Sequence, residues 1–296
     1  TEGVSIDPKG SHEIDDAMWV ERGVFNPAIS RVQVHIANAG LLLGHKAVQV
    51  ARERGWSVYY EDGLVDPMLD SDIAENDLSL DTDHFGLGTP AVTTEFTFHK
   101  KKKKVSDEMV YESRVNCRNL TYLGFKKAVS QGDPQARAIV NVARVLHAHG
   151  ARANSLRGNG MPQEVVRRFM LATNILQAQH MQRRGVPWMF RNHHLHIING
   201  IGSEALKVMY PYSEVFAQHN LAWYAPTPTV HEGIGSYTYC HYTSPLRRFP
   251  DLVNHLNQRA LELGISAPFP EEALRDIAQD LAKKAMVSSG LVKQPA

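Results

Sequence analysis

The chain has 296 residues, 43% of them hydrophobic, with Lys plus Arg (32) nearly matched by Asp plus Glu (31). That size can bury a substantial core in one large domain or two ordinary ones. The balanced charge argues against a purely electrostatic nucleic-acid binder while leaving room for a local basic channel. Two cysteines, Cys117 and Cys240, without CxxC spacing, argue against a disulfide framework or a zinc site and point to a reducing, cytoplasmic setting.

No apolar run approaches membrane-spanning length, and Thr1-Glu-Gly-Val has none of the marks of a signal peptide, so no membrane partner is expected. A start at Thr rather than Met is expected of a piece of a longer or processed protein. The first informative stretch is Ser5–Asp16, which gathers Asp7, Glu13, Asp15 and Asp16 around a Pro and a Gly. Carboxylates this close repel one another unless a cation sits among them, and hard oxygen donors suit Mg²⁺ or Mn²⁺. The plain alternative is a solvated acidic turn.

Alternating β-branched residues predict strands over Ala17–Glu21 and Ser30–Ala37. Helical spacing follows over Leu43–Arg54, closed by Gly55. Trp56–Tyr60 reads as an aromatic strand, and Tyr59 or Tyr60 beside the following polar loop could stack on a base, a contact worth roughly 1–3 kcal/mol. Asp70–Asp83 is acid-rich and reads as loop with a short helix at most. Ala91–His99 and Val105–Val115 alternate on either side of Lys100–Lys104, predicting a hairpin with a basic tip. Such a tip either solubilises the loop or contacts phosphate.

Leu120–Val129, Pro134–Arg152 and Gln163–Arg184 carry apolar residues at three- and four-residue spacing, a helical layer long enough to cover a sheet. Trp188–Ile198 returns to strand; of its histidines only His194 and His196 share a face, so a metal site there is not expected. A helix is predicted over Ser203–Asn220. Finally His231–Asp251 leads into the helical pattern Leu252–Leu263, with Thr243 or Ser244 as N-cap and Pro245 in the first turn. That arrangement would bring Arg247 and Arg248 to the positive end of a helix, where phosphate is favoured. Asp251 and His255, four apart, would share a face within reach of each other.

With both motifs in view, the sequence resembles the catalytic (RNB) domain of the ribonuclease II / ribonuclease R family. The resemblance rests on Ser5-Ile-Asp-(five residues)-Glu-Ile-Asp-Asp16, Val34-His-Ile-Ala37, Pro67-Met-Leu69, Leu78-Ser-Leu80, Phe169–Asn174, Arg191-Asn-His193 and Tyr242–Asp251, in the family's order. It implies an α/β (α+β) fold over 1–296, a mixed, largely antiparallel sheet covered by a helical layer, as a single catalytic domain with an RNA channel. It also implies 3′→5′ hydrolysis of single-stranded RNA to nucleoside 5′-monophosphates. Asp7, Glu13, Asp15 and Asp16 would hold Mg²⁺, in a two-metal arrangement, with Asp15 and Arg247 catalytic. Tyr59, Tyr60, Arg191, His193, Tyr242, Ser244, Arg247 and Arg248 would bind RNA.

The sequence departs from the family pattern at Glu13 (ordinarily Asp), Asn38 (Asp), Asp81 (Arg) and Arg167 and Arg168 (acidic), and the stretch from Ala151 to Gln163 is short. These departures motivate the alternative of a catalytically weakened homologue acting as an RNA-binding or assembly module. The flanking cold-shock-like and S1-like domains have no counterpart in these residues, so further RNA-binding domains are expected outside this chain if anywhere.

Overall fold

The computed structural model describes residues 1–23, 28–60, 65–81, 86–102, 104–146, 160–194, 216 and 219–291. In chain order it begins with strands β1 (Glu2–Asp7), β2 (Asp16–Arg22) and β3 (Ile29–Ala37), a single turn α1 (Ala39–Leu42) and helix α2 (His45–Arg54). The short pair β4 (Val58–Tyr59) and β5 (Val65–Asp66) and a π-helix over Asp72–Leu78 precede the long hairpin β6 (Thr89–His99) and β7 (Lys104–Thr121). Then come α3 (Tyr122–Gln131), α4 (Pro134–Ala143), α5 (Met161–Arg183), β8 (Phe190–Asn192), β9 (Trp223–Ala225), α6 (Phe249–Glu262) and α7 (Glu271–Ser288).

The mixed sheet is a closed barrel in the order β1-β2-β3-β6-β7. Its neighbours are antiparallel except where β1 meets β7 in parallel, Glu2↔Asn116 through Asp7↔Thr121, which closes the cylinder. One barrel face carries small or polar residues such as Gly3, Ala17, His35 and Thr93. His35 Nε2 lies 3.1 Å from the Glu2 carbonyl, linking strands that are not neighbours, so this is the inner face. A Cβ on Gly3 would come within 2.8 Å of Val115, which shows how little room the interior has.

The other face, with Val4, Met18, Val32, Val34, Phe96 and Phe98, packs with Phe125, Ile139 and Phe169 of the helices into the larger core. A second core joins Ile14, Ala37, Met68, Leu246, Phe249 and Leu281, uniting one barrel end with α2, α6 and α7. The predicted helical layer over a sheet is therefore present, wrapped on a barrel.

Local chemistry explains the boundaries. Gly55 ends α2 at φ +85, with its N–H 2.8 Å from Ala51 O. β7 runs to Thr121 rather than stopping at Val115, because its last six residues pair with β1; Thr121 then caps α3, its Oγ1 accepting from Gly124 N at 3.0 Å. The expected long strand Trp188–Ile198 is reduced to Phe190–Asn192 with a bridge at His193, and 195–200 lie outside the described residues. So does nearly all of the helix expected over Ser203–Asn220, as do 147–159 at the short stretch.

Candidate active site

Antiparallel pairing of β1 with β2 returns the chain to the same barrel end, so Asp7 at the close of β1 and Asp16 at the start of β2 lie on one rim. The intervening loop is clamped from outside. Ile14 N donates to Ser79 Oγ at 2.8 Å, Leu80 N to Ile14 O at 3.0 Å, and Ala37 N to Asp15 O at 2.9 Å. Leu78-Ser-Leu80 thus acts as a brace for the acidic loop. Asp81, 2.5 Å from Ser79 Oγ, adds a further negative charge that acts on Asp7.

The second motif meets this loop directly. Leu246 N donates to Asp15 Oδ1 at 3.1 Å and Arg247 Nε to Asp15 Oδ2 at 2.9 Å. A second Arg247 nitrogen donates to Ser244 Oγ at 2.8 Å, and Ser244 N to Asp251 Oδ1 at 2.9 Å. The turn itself is held from α5 and α6. Asn174 Oδ1 accepts from Tyr242 N at 3.0 Å, its amide donates to Tyr239 Oη at 3.1 Å, and Asn254 donates to His241 O at 3.0 Å.

Electrostatically the cluster is strained. Burial, with the charge of Asp15 and Asp81 adding to it, pushes Asp7 up to about 6, although Ser5 opposes the rise. Burial and Asp15 push Glu13 up to about 7. Asp16 is raised well above the usual carboxylate range, by burial and then by Asp7 and Asp15. Asp15 is raised by burial against the opposing pull of Arg247. Asp7 Oδ2 is buried with no hydrogen-bond partner.

An orphaned carboxylate oxygen among mutually repelling acids has the donor chemistry of a divalent-cation site. Among the described residues, no group of three or more His, Cys, Asp or Glu side chains is arranged to hold a metal ion by itself. Mg²⁺ does not require one, because it keeps waters and borrows substrate phosphate oxygens. Asp7, Asp16 and Glu13 are the free candidates, since both oxygens of Asp15 are already engaged.

Tyr59 is 58% exposed and lines a cleft of about 370 Å³ with Lys9, His12, Glu13 and Pro67. Its hydroxyl is raised by burial and by the nearby Glu13 charge, which places it beside the acidic loop. Tyr60, 54% exposed, is not among that cleft's lining residues.

Several sequence expectations need correction. Tyr242 is fully buried, its ring 4.0 Å from that of His255 and its hydroxyl donating to Gln258 at 2.7 Å, so it has no surface for RNA. His193 is buried and both ring nitrogens are occupied, by Asn220 at 2.9 Å and Gly233 N at 3.1 Å. Ser244 is buried and orients Arg247 instead of facing a ligand. Nor does Ser244 or Thr243 cap a helix. α6 starts at Phe249, with Arg248 as N-cap and Pro250 in the first turn, because Arg248 is held extended (φ −137, ψ 121) by its bridge to Trp56. Asp251 turns to Ser244 and Arg248, and His255 to Tyr242 O at 3.0 Å, not to each other.

Arg191 and Arg248 make no bond to the acidic loop, although the charge of Arg248 still acts to lower Asp15 and Asp16. Arg191 stacks 4.3 Å above the Tyr224 ring centroid, and Arg248 donates to Asp251 at 2.7 Å. Arg168 is buried against Glu164 and Ala143 O, and Arg167 pairs with Glu164 on the surface. Ser79, Asn174, Asn254 and Asp251 act as positioning residues, a role that sequence spacing does not reveal even though Ser79, Asn174 and Asp251 lie inside the motifs and only Asn254 falls outside them.

The RNB domain family matches residues 2–262 of this sequence. The chain belongs to the RNB domain family. Ribonuclease R of Aquifex aeolicus (strain VF5) is 24% identical over 319 residues, an alignment that takes in 85% of this chain and 44% of that protein. The chain thus spans less than half the length of that relative.

Among solved structures, the active-site mutant D477N of Dss1 exoribonuclease from Candida glabrata superposes with a TM-score of 0.76 at 21% identity, over 98% of this chain and 46% of that one. Mycoplasma genitalium RNase R in complex with ribose-methylated single-stranded RNA gives 0.70 at 15% identity, over 97% and 58%. Yeast Ssd1, a pseudonuclease, gives 0.73 at 16% identity, over 96% and 42%. At these identities the likeness establishes the RNB fold. No helix among the described residues is long and apolar enough to cross a membrane.

Proposed function

We propose that this chain is the catalytic core of a metal-dependent 3′→5′ exoribonuclease acting on single-stranded RNA and releasing nucleoside 5′-monophosphates. The observation that carries the reading is the Asp15–Arg247 pair at 2.9 Å, which joins an acidic loop to a guanidinium from the far end of the chain. Family membership, the ribonucleases among its relatives and the RNA held by the Mycoplasma genitalium neighbour support it.

Asp7, Asp16 and Glu13 would hold Mg²⁺ or Mn²⁺. Bound there, the ion supplies an activated water and charge stabilisation at the attacking and leaving oxygens. Asp15 fixes the guanidinium plane of Arg247 by one bond while Ser244 fixes it by another, and the side chain stays 41% exposed. Its remaining N–H groups are left for phosphate oxygens, an electrostatic role commonly worth about 10²–10³-fold. Tyr59 provides a ring at the rim for the terminal base. No side-chain nucleophile is required.

The deciding assay uses a 3′-tailed single-stranded RNA with Mg²⁺ and a DNA control. Mononucleotide release from RNA, lost in Asp15→Asn and Arg247→Ala, is the expected result. RNA binding without product in either Mg²⁺ or Mn²⁺ would overturn the reading.

A second reading is favoured by the similarity to Ssd1 and by Glu13: a weakened homologue serving as an RNA-binding or assembly module. Glu13→Asp separates the two, since a large gain in turnover identifies a degenerate site and no gain shows that the longer acid is accommodated.

A further inference from the structure

The Arg247–Arg248 step divides two environments. Arg247 turns to Asp15, whereas Arg248 turns to Asp251 and lines a cavity of about 270 Å³ among Trp56, Tyr224, Trp223, Arg191 and His241. That volume is near the lower end of the roughly 300–1,000 Å³ range of small-ligand pockets and is too small for a length of strand.

Arg191 and Arg248 both line it and no carboxylate does; Asp251, which Arg248 holds, lies outside the lining. Arg191 makes no ion pair among the described residues. Arg248 Nε is buried without a hydrogen-bond partner, as is Oδ2 of Asp251, whose Oδ1 Arg248 already holds, so the charge left unbalanced at the cavity is that of Arg191. A buried, unmatched guanidinium N–H favours an oxyanion. His241 stays neutral: burial holds it well below the ordinary histidine range, with Arg248 and Arg191 adding to the effect, and its Nδ1 lies 2.7 Å from Tyr224 Oη. The remaining wall is flat and apolar, made of Trp56, Trp223 and the α7 residues Leu281, Ala282 and Ala285.

We infer that this cavity binds a nucleoside monophosphate, its phosphate between Arg191 and Arg248 and its base against the aromatic wall. The cavity's own chemistry calls for an anion joined to a flat aromatic group; naming a mononucleotide rests on the hydrolytic reading, whose product it is. A site one residue from Arg247, on the other side of the turn, would let released product act back on the catalytic guanidinium.

The test is calorimetric titration of AMP into the full chain in EDTA, where metal chemistry plays no part. Saturable one-to-one binding is expected, with adenosine and inorganic phosphate each at least tenfold weaker. Arg191→Ala should weaken AMP at least tenfold. Ala285→Trp, which fills the cavity from half-buried α7 without altering either arginine, should abolish it. Should Ala285→Trp fail to fold by circular dichroism, Arg191→Ala decides alone. The inference is overturned if AMP does not bind, if both variants bind it as the parent does, or if Asp15→Asn rather than the cavity variants removes it. Hydrolysis can fail while AMP binding stands, and the reverse, so the two proposals are tested separately.

Discussion

At the scale of single residues, the site is a contest between burial and charge. Arg247 is held by two bonds of fixed geometry, to Asp15 Oδ2 and Ser244 Oγ. A lysine keeps the charge but cannot reproduce the fork, so Arg247→Lys should behave much as Arg247→Ala. In a single-turnover RNA assay we expect both to lose about 10²–10³-fold in rate with little change in RNA affinity.

The acids make a second prediction. Asp7 and Glu13 bind their protons more tightly in the folded chain, raised from 3.8 to about 6 and from 4.5 to about 7. Their contribution to stability is complete below those ordinary values and is lost as pH rises through the folded ones. Without metal, the parent protein should therefore lose stability from this source between pH 4 and pH 7. Asp16→Asn, which removes one charge from the cluster, should melt about 2 °C or more above the parent at pH 8 in EDTA, the gap narrowing towards pH 4. Added Mg²⁺ should raise the melting temperature of the parent more than that of the variant.

At the scale of elements, both active loops are irregular backbone made rigid by polar side chains from neighbouring helices and turns. Asn174 of α5 supports the arginine turn at Tyr242 N and Tyr239 Oη and lies 3.2 Å from Cys240 Sγ through its carbonyl. Asn174→Ala leaves a buried Tyr242 N–H unmatched, a loss of about 1–3 kcal/mol that urea unfolding would measure. Turnover should fall with it, because the turn that presents Arg247 loosens.

Ser79 is the corresponding brace for the acidic loop through Ile14 N. Sequence patterning located β3 and α5 to within two residues, although β3 is buried on both faces and α5 buries Arg168, Asn174 and Gln177 beside its apolar residues. It misplaced the start of α6, because a Ser-Pro pair imitates a cap while the real boundary is set by pairing of Arg248 with Trp56, far away in sequence.

At the scale of the whole molecule, a five-stranded barrel with a cramped interior binds its polar groups to one another, His35 to Thr93 and Glu95 to Arg31, Gln33 and Tyr111. Burial lowers His35, inside the barrel, to about 4, and His255, stacked on Tyr242, to about 3, from an ordinary 6.5. A depressed folded value means stability that is complete above 6.5 and is lost as pH falls towards 4 and then 3. Acid unfolding monitored by circular dichroism should show this decline below pH 6.5, and His255→Gln should make the decline shallower even if it lowers stability at pH 7. This trend runs opposite to that of the carboxylates, so the two variants separate the contributions.

By itself the sequence determined the chemistry available: four acids near one end, a Ser-Pro-Leu-Arg-Arg motif near the other, and the order of motifs that marks an RNB domain. These are local facts of composition and spacing, and chain order preserves them. Which residues face a ligand was decided only by tertiary structure. Tyr242, His193 and Ser244 sit inside motifs yet are buried, while Arg191 and Arg248 line a cavity of their own beside the arginine turn. A one-dimensional pattern records side-chain type but not direction. Direction at this site comes from β1 closing on β7, and from Asp15 and Arg247 meeting across almost the whole length of the chain.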